Sequence, residues 1–307
     1  MATISEVNGI PVGHIAEINE ISSIDDINFI QAGGEPMQPA TNTYSFAVGN
    51  VLAVEAGTGT YLMSSYMSAS NPDSYHFRSG GDDEAFSVSV WFNFPAPGGG
   101  APGASHAKII SKGTNSDREW DLSFYGSNAT VLWRLNTDSS NRIYLFDGVW
   151  SHLTESWHHI AATYDGSEAK EGLNYYIDGE LQNQDDRMDG TYAGLNDSGE
   201  AVTVGAFLGA SNPQCFGYFD EVSIWTKELS SAEVAKIYNG GTPTNLSSQP
   251  SLLSWWRMGD SDGGTGITVT DAAPAATGNG TLTGSVSSGL LPADGFTTGS
   301  VPTGSVS

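Results

Sequence analysis

Between Phe86 and Trp225 the chain is a succession of short segments in which apolar and polar residues alternate, each ended by a turn signal. FSVSVWFNF puts Phe86, Val88, Val90 and Phe92 on one side of an extended strand, because side chains two apart share a face. AKIISKG, REWDLSFYG, TVLWRLNT, NRIYLFDG, SWHHIAATYDG, LNYYIDGELQ, AVTVGAFL and CFGYFDEVSIW follow in turn. WHHIAATYDG (157–166) runs a strand into a Tyr-Asp-Gly turn, and YYIDGE (175–180) runs one into Asp-Gly, as consecutive β-hairpins do. This spacing constrains the chain to a mostly β fold, an antiparallel sandwich or jelly roll. PAPGGGAPGASH (95–106) is a loop that no regular element absorbs. One short helix is expected at SSAEVAKIY, from Ser230 to Tyr238. Ser230 or Ser231 can cap it, Glu233 completes a capping box if Ser230 is the cap, and Asn239-Gly240 closes it.

Composition agrees: 307 residues hold 38 Gly, 13 Pro, 8 Trp, 12 Tyr and 12 Phe. A formal charge of −24, from 35 acids and 11 bases, repels phosphate backbones, so no nucleic-acid partner is expected. The single Cys215 excludes an internal disulfide and any multi-cysteine metal site, and reads as a small buried apolar residue. No apolar run approaches the roughly 18 residues that span a bilayer, so no membrane insertion is expected. The opening residues lack the basic region, apolar segment and cleavage site of a secretory signal.

All eleven bases lie between Arg78 and Arg257, which divides the chain into three. The expected parts are an N-terminal arm (1–39), a sandwich (40–260, core 84–240) and a Gly/Ser/Thr-rich tail (261–307). The arm repeats itself: ISEVNGI from Ile4, IAEINEI from Ile15, IDDINFI from Ile24. Each unit is too short to bury its own apolar face and must stack on a neighbour, another subunit or a larger assembly. Ile4, Val7, Ile15, Ile18, Ile24 and Ile27 are the expected contacts, on short strands or turns. The tail repeats TGSV at Thr283, Thr298 and Thr303, a composition that stays disordered in isolation. LLSWWRMGDSDGGTGITVTDAAPAATGNGTLTG (252–284) is expected to pack Trp255 and Trp256 on the sandwich and to add a strand to it.

On FSVSVWF, WHHIAATYDG, YYIDGE and GYFDEVSIW, residues 80–260 resemble the laminin-G-like sandwiches of concanavalin A type, a family of lectins and glucanases. The arm's repeats resemble those that open many tailed-bacteriophage virion proteins. The resemblance implies a recognition scaffold in a phage virion structural protein: a fibre, an appendage or a capsid decoration. The arm would join it to other virion proteins and to further copies of itself, and the sandwich would face a host-surface glycan. A second reading is a bacterial cell-surface adhesin or carbohydrate-binding module, extracellular or at the cell surface. A third is an inactive or unrecognised glycanase. The family pattern also implies that Trp91, Trp157 and Trp225 are buried, that His158 faces solvent and that His159 lies against the sheet. Calcium is the ion the resemblance implies. GTGTYL (57–62) lacks the acids of the family's usual segment, leaving Asp82, Asp83 and Asp220 as candidate ligands.

Catalysis by the family's retaining glucanases needs two carboxylates about 5 Å apart. On a strand that asks for a Glu-x-Asp-x-x-Glu run, and none is read in this chain. The acid pairs noted, Asp220-Glu221, Asp185-Asp186, Asp82-Asp83 and Asp25-Asp26, are adjacent and should point to opposite faces. The one Gly-x-Ser-x-Gly run, GDSDG (259–263), lies in a Gly/Asp-rich turn and is not read as a nucleophile elbow, and no His-x-x-x-His or phosphate-loop pattern occurs, so a non-enzyme is expected. Glycan binding needs an exposed aromatic platform, for which Trp120, Trp133, Trp150 and Tyr192 are the candidates.

Overall fold

In a computed structural model, residues 66–93, 107–125, 130–148, 153, 156–182, 185–206, 208, 217–258, 260 and 268–283 are described, with short backbone stretches at 6–7, 10–11, 44–48 and 296–298. The chain divides into two compact units, 1–36 and 37–307. In the first, β1 (Glu6–Val7) pairs with β2 (Ile10–Pro11). Val7 is described there only as backbone, and Ile4, Ile15, Ile18, Ile24 and Ile27 lie outside the described residues, as do Cys215 and Trp150.

The second unit is built on two antiparallel sheets. The nine-stranded sheet runs β15 (Asp186–Asp189), β11 (Arg142–Asp147), β10 (Thr130–Asn136), β9 (Arg118–Tyr125), β8 (Ala107–Gly113), β16 (Val202–Val204), β4 (Tyr66–Ala69), β20 (Gly280–Thr283) and β19 (Thr268–Val269). The eight-stranded sheet runs β14 (Glu180–Leu181), β13 (Leu173–Ile177), β12 (His158–Tyr164), β7 (Phe86–Asn93), β17 (Gly217–Trp225), β3 (Tyr44–Val48) and β21 (Phe296–Thr298), and β18 (Leu252–Trp256) pairs with β17. A small hairpin of β5 (Arg78–Ser79) and β6 (Asp82–Asp83) stands apart.

Alternation explains the core. Phe86, Val88, Val90 and Phe92 of β7 meet Trp120, Leu122 and Phe124 of β9, Trp133 and Leu135 of β10, and Ile160, Ala162 and Tyr164 of β12. Burying each such side chain contributes about 1.5–3 kcal/mol, so this face dominates stability. A second cluster on the eight-stranded sheet gathers Ala161, Tyr176, Trp225 and Trp255 under Val234 and Ile237 of α1 (Ser231–Tyr238). The helix begins where its cap allows. Ser230 Oγ accepts the Glu233 N–H, the Glu233 carboxylate accepts the Ser230 N–H, and Asn239 ends the helix at φ 49°.

The stretch expected as a separate tail from residue 261 instead supplies β19, β20 and β21. Its Gly/Thr segment orders because β4 offers it a backbone partner, pairing Leu282 with Met67. Asp271, buried, ties the segment down by accepting the Trp255 N–H at 2.9 Å, the Ser254 hydroxyl at 2.7 Å and the Gly278 N–H at 3.2 Å. Trp256 enters the main core and Trp255 the second cluster. Among the described residues no helix is long and apolar enough to cross a membrane.

Candidate functional site

The residues out of phase with the core cover the outer face of the nine-stranded sheet. Strand register aligns them in rows: Asp121, Arg134, Tyr144 and Arg187 lie side by side across four strands. Asn136, Arg142 and Asp189 form a second row, and Ser123, Leu132 and Phe146 a third.

One half of this face is closed by buried ion pairs. Asp121 accepts from Lys108 Nζ at 2.6 Å, from Arg134 Nε at 2.9 Å and from Ser123 Oγ at 3.2 Å. Burial alone would raise the Asp121 carboxyl, but Arg134 and Lys108 outweigh it and hold it well below the usual carboxylate range. For Lys108 burial wins over the attraction of Asp121, and its ammonium is pushed down to about 8. Beside them Glu119 meets Lys112 Nζ and His76 Nδ1, each at 2.8 Å. Removing one member of a fully buried pair such as Lys108 and Asp121 costs about 3–5 kcal/mol, because the other charge is left buried and unpaired.

The other half is open. Tyr125 is 39% exposed and its ring meets Phe146 edge-on at 5.4 Å. The Arg187 guanidinium lies 5.1 Å over Phe146, and that of Arg142 lies 5.8 Å over Tyr144. Asp189 fixes this corner, accepting from Arg142 Nε at 2.7 Å and from the Tyr144 hydroxyl at 3.3 Å. Aromatic faces beside immobilised forked donors can stack on an apolar ring face while bonding its hydroxyls.

The expected platform is therefore corrected. Trp120 and Trp133 are fully buried, because each shares its face with core residues of the same strand. Their indole N–H groups donate inward to the carbonyls of Tyr75 and Thr163. Tyr192 is buried and donates to Asp83 at 2.6 Å. Tyr125, Tyr144 and Phe146, in the strand phase opposite to the core residues, are the aromatic side chains on the outer face of β9 and β11. Trp91 and Trp225 are buried as expected, whereas Trp157 precedes β12 and is only half-buried, against Tyr218. A same-face acid pair was also overlooked: Glu119 and Asp121 flank Trp120 on β9. Both carboxylates are engaged by the cations described above.

The expected calcium ligands separate. Asp82 is exposed, and on buried Asp83 one oxygen accepts the hydroxyls of Tyr164 and Tyr192 while the other accepts the Leu195 N–H at 2.8 Å. Burial first, and the Asp83 carboxylate second, raise both phenols far above their ordinary range. Asp83 is thus a structural hub, which corrects its reading as an ion ligand.

Asp220 differs. It is fully buried, its Oδ1 accepts the Glu221 N–H at 2.8 Å, and its Oδ2 has no hydrogen-bond partner among the described residues. The ladder shifts register here and Glu221 adopts φ 48°, so the two acids do not part to opposite faces; both are buried. Glu221 accepts from Trp255 Nε1 at 2.5 Å and Arg257 Nε at 3.1 Å, and Arg257 also approaches Asp260 at 3.5 Å. Burial, then mutual repulsion with Glu221 and Asp260, raises the Asp220 carboxyl well above its ordinary value. Arg257 pairs with Glu221 and Asp260, and among the described residues these three carboxylates do not converge as a metal cluster, which corrects the reading of Asp220 as an ion ligand.

His159 is buried as the family pattern implies, whereas His158 does not face solvent freely: it shares the strand phase of Ile160 and Ala162 and its ring meets Phe92. His158, partly exposed, bridges Ser156 Oγ and Asp178 Oδ2, each at 2.8 Å, fastening β12 to the turn after β13. His159 is fully buried and bonds Ser89 Oγ at 2.7 Å.

Residues 58–235, over half of the chain, match the family model of the concanavalin A-like lectin/glucanases superfamily. The chain belongs to that superfamily. Among solved structures this superfamily member is similar to a candidate carbohydrate-binding protein from Bacteroides ovatus, at 16% identity and TM-score 0.49, covering 80% of this chain and 60% of that one. It is also similar to the heptameric SAP-like pentraxin of Limulus polyphemus (13% identity, TM-score 0.41, 64% and 82% coverage). A third is the botulinum neurotoxin serotype D binding domain (16% identity, TM-score 0.43, 67% and 45% coverage). The chain thus spans 60% and 45% of the first and third of these proteins' lengths. No curated protein sequence matches it significantly.

Proposed function

We propose that the protein is a non-enzymatic recognition module that binds a glycan on the outer face of its nine-stranded sheet, around Tyr125, Tyr144 and Phe146. The observation that carries this reading is the open aromatic corner beside Arg142, Arg187 and Asp189. Membership of a lectin and glucanase superfamily supports it, and the engagement of Glu119 and Asp121 by buried cations argues against paired-acid hydrolysis. In this reading the Ile-rich repeats of 1–39 attach the sandwich to a tailed-phage virion, as a fibre, appendage or capsid decoration, and to further copies of the chain. Three short repeats that cannot bury their own apolar faces support an assembled state. A bacterial adhesin would use the same face from a cell surface.

A glycan array tests the binding face. The wild-type chain should retain at least one glycan, and Tyr125→Ala with Phe146→Ala should weaken it by about 2–4 kcal/mol, since stacked anchors dominate such sites. Undiminished binding by the double variant sinks the assignment. Mass spectrometry of purified particles decides location, and deletion of residues 1–32 should abolish incorporation.

A further inference from the structure

We propose that His76, Glu119 and Asp197 form a binding site for one divalent first-row transition-metal ion of the zinc type. Three separate segments meet there. His76 ends the 3-10 turn Pro72–Tyr75, Glu119 stands near the start of β9, and Asp197 lies between β15 and β16. Their donor atoms all lie within 4.8 Å of one another. A tetrahedral ion with bonds of about 2.0–2.1 Å holds its donors roughly 3.3 Å apart, so the site closes with small movements of the exposed Asp197.

The carboxylate is already aimed. Glu119 is fully buried, and its Oε2 is held by Lys112 Nζ at 2.8 Å and by the Ser198 hydroxyl at 3.2 Å. Outer contacts of this kind orient a ligand, and they turn Oε1 toward His76 Nδ1, 2.8 Å away. The Ser198 contact also positions the neighbouring Asp197. In the metal-bound form the His76 ring carries its proton on Nε2, and the ion takes the place of the Nδ1 to Oε1 hydrogen bond.

The donor set selects the ion. One imidazole and two carboxylates suit zinc, cobalt, nickel or manganese, whereas calcium takes oxygen donors. Glu119 and Asp197 outweigh Lys112 by one charge, and the chain's charge of −24 raises the local concentration of cations. Asp197 opens the site to solvent, so water completes the coordination. The residues are separate from the Asp220 cluster, and the inference does not depend on the glycan reading.

The test uses the full chain, stripped with a chelator and titrated with cobalt(II) by visible absorption and with zinc by calorimetry. One equivalent should bind, zinc should displace cobalt, and calcium should not compete. His76→Gln keeps a donor for Glu119, and Asp197→Asn changes an exposed side chain, so both variants should fold with unchanged thermal unfolding in chelator. Each should weaken the first equivalent by more than about tenfold, while His158→Gln leaves it unaltered. Absence of any cobalt or zinc binding by the wild-type chain overturns the proposal. So does a first equivalent that is equally tight in His76→Gln and Asp197→Asn.

Discussion

His159 packs against the stacked rings of Trp91 and Tyr238, at 5.4 and 6.1 Å, with Nε2 on Ser89 and, among the described residues, no partner for Nδ1. Burial pushes its pKa down to about 4, and Asp178 opposes this only in part. The unfolded chain takes up that proton near 6.5, so between about pH 6.5 and 4 it binds more protons than the fold does. Stability contributed by the neutral ring is therefore complete above pH 6.5 and lost as pH falls toward 4, by about 3 kcal/mol. Denaturant unfolding across this range should show His159→Phe losing less stability than the wild-type chain; parallel curves would contradict the assignment. The same alternation that buries His159 shows what the sequence made legible at this scale. In REWDLSFY, Trp120 and Tyr125 necessarily face opposite sides of β9, and so do Trp120 and Asp121. Which side is inside was harder to read, because the outer face carries buried charges whose partners come from different strands. Lys108, Asp121 and Arg134 lie on β8, β9 and β10, and only their register brings them together. The large tryptophans drew the platform inward, while the smaller phenol and phenyl rings on β9 and β11 occupy the open corner.

At the scale of the element, α1 is determined locally. Its capping box closes within four residues, so SSAE in the sequence already states where the helix starts. Ser230→Ala removes the acceptor for the Glu233 N–H and should cost about 1 kcal/mol, read as a lowered denaturant midpoint with an unchanged slope. An unshifted midpoint would mean that packing of Val234 and Ile237 alone sets the helix. The irregularity in β17 is the opposite case. Phe219-Asp220-Glu221-Val222 reads as ordinary alternation, yet Glu221 takes a left-handed conformation. The partners that hold it there, Trp255 and Arg257, stand 34 and 36 residues further along. No local window contains the reason for the bulge, and the acids it gathers were read as diverging for that cause.

For the molecule as a whole, closure of the sandwich depends on the final described strands. Truncation after Asp260 removes β19, β20 and β21 and leaves β4 paired only with β16, its other edge open. It also removes Asp271 from Trp255 and Ser254, the Gly278 carbonyl from Trp256 Nε1, and Val269 and Leu282 from the core. The truncated chain should unfold at least about 10 °C lower than the full one by circular dichroism, since each 1 kcal/mol lost is worth about 2–4 °C at this size. An equal unfolding temperature would show that these strands add nothing to the sandwich. Composition concealed them: a run of Gly, Thr and Ser carries too little apolar surface to order itself, and only the waiting edge of β4 makes it a strand. That arrangement gives the protein a late step in its own biosynthesis. Ser70, just beyond β4, bonds Asn279, 209 positions later, an interval that takes roughly ten to forty seconds to translate. Until the second partner leaves the ribosome, the first presents unpaired backbone to the cell, and a chaperone or a second nascent chain can reach it. The last described strands are therefore the seal that ends the chain's vulnerability to wrong pairing.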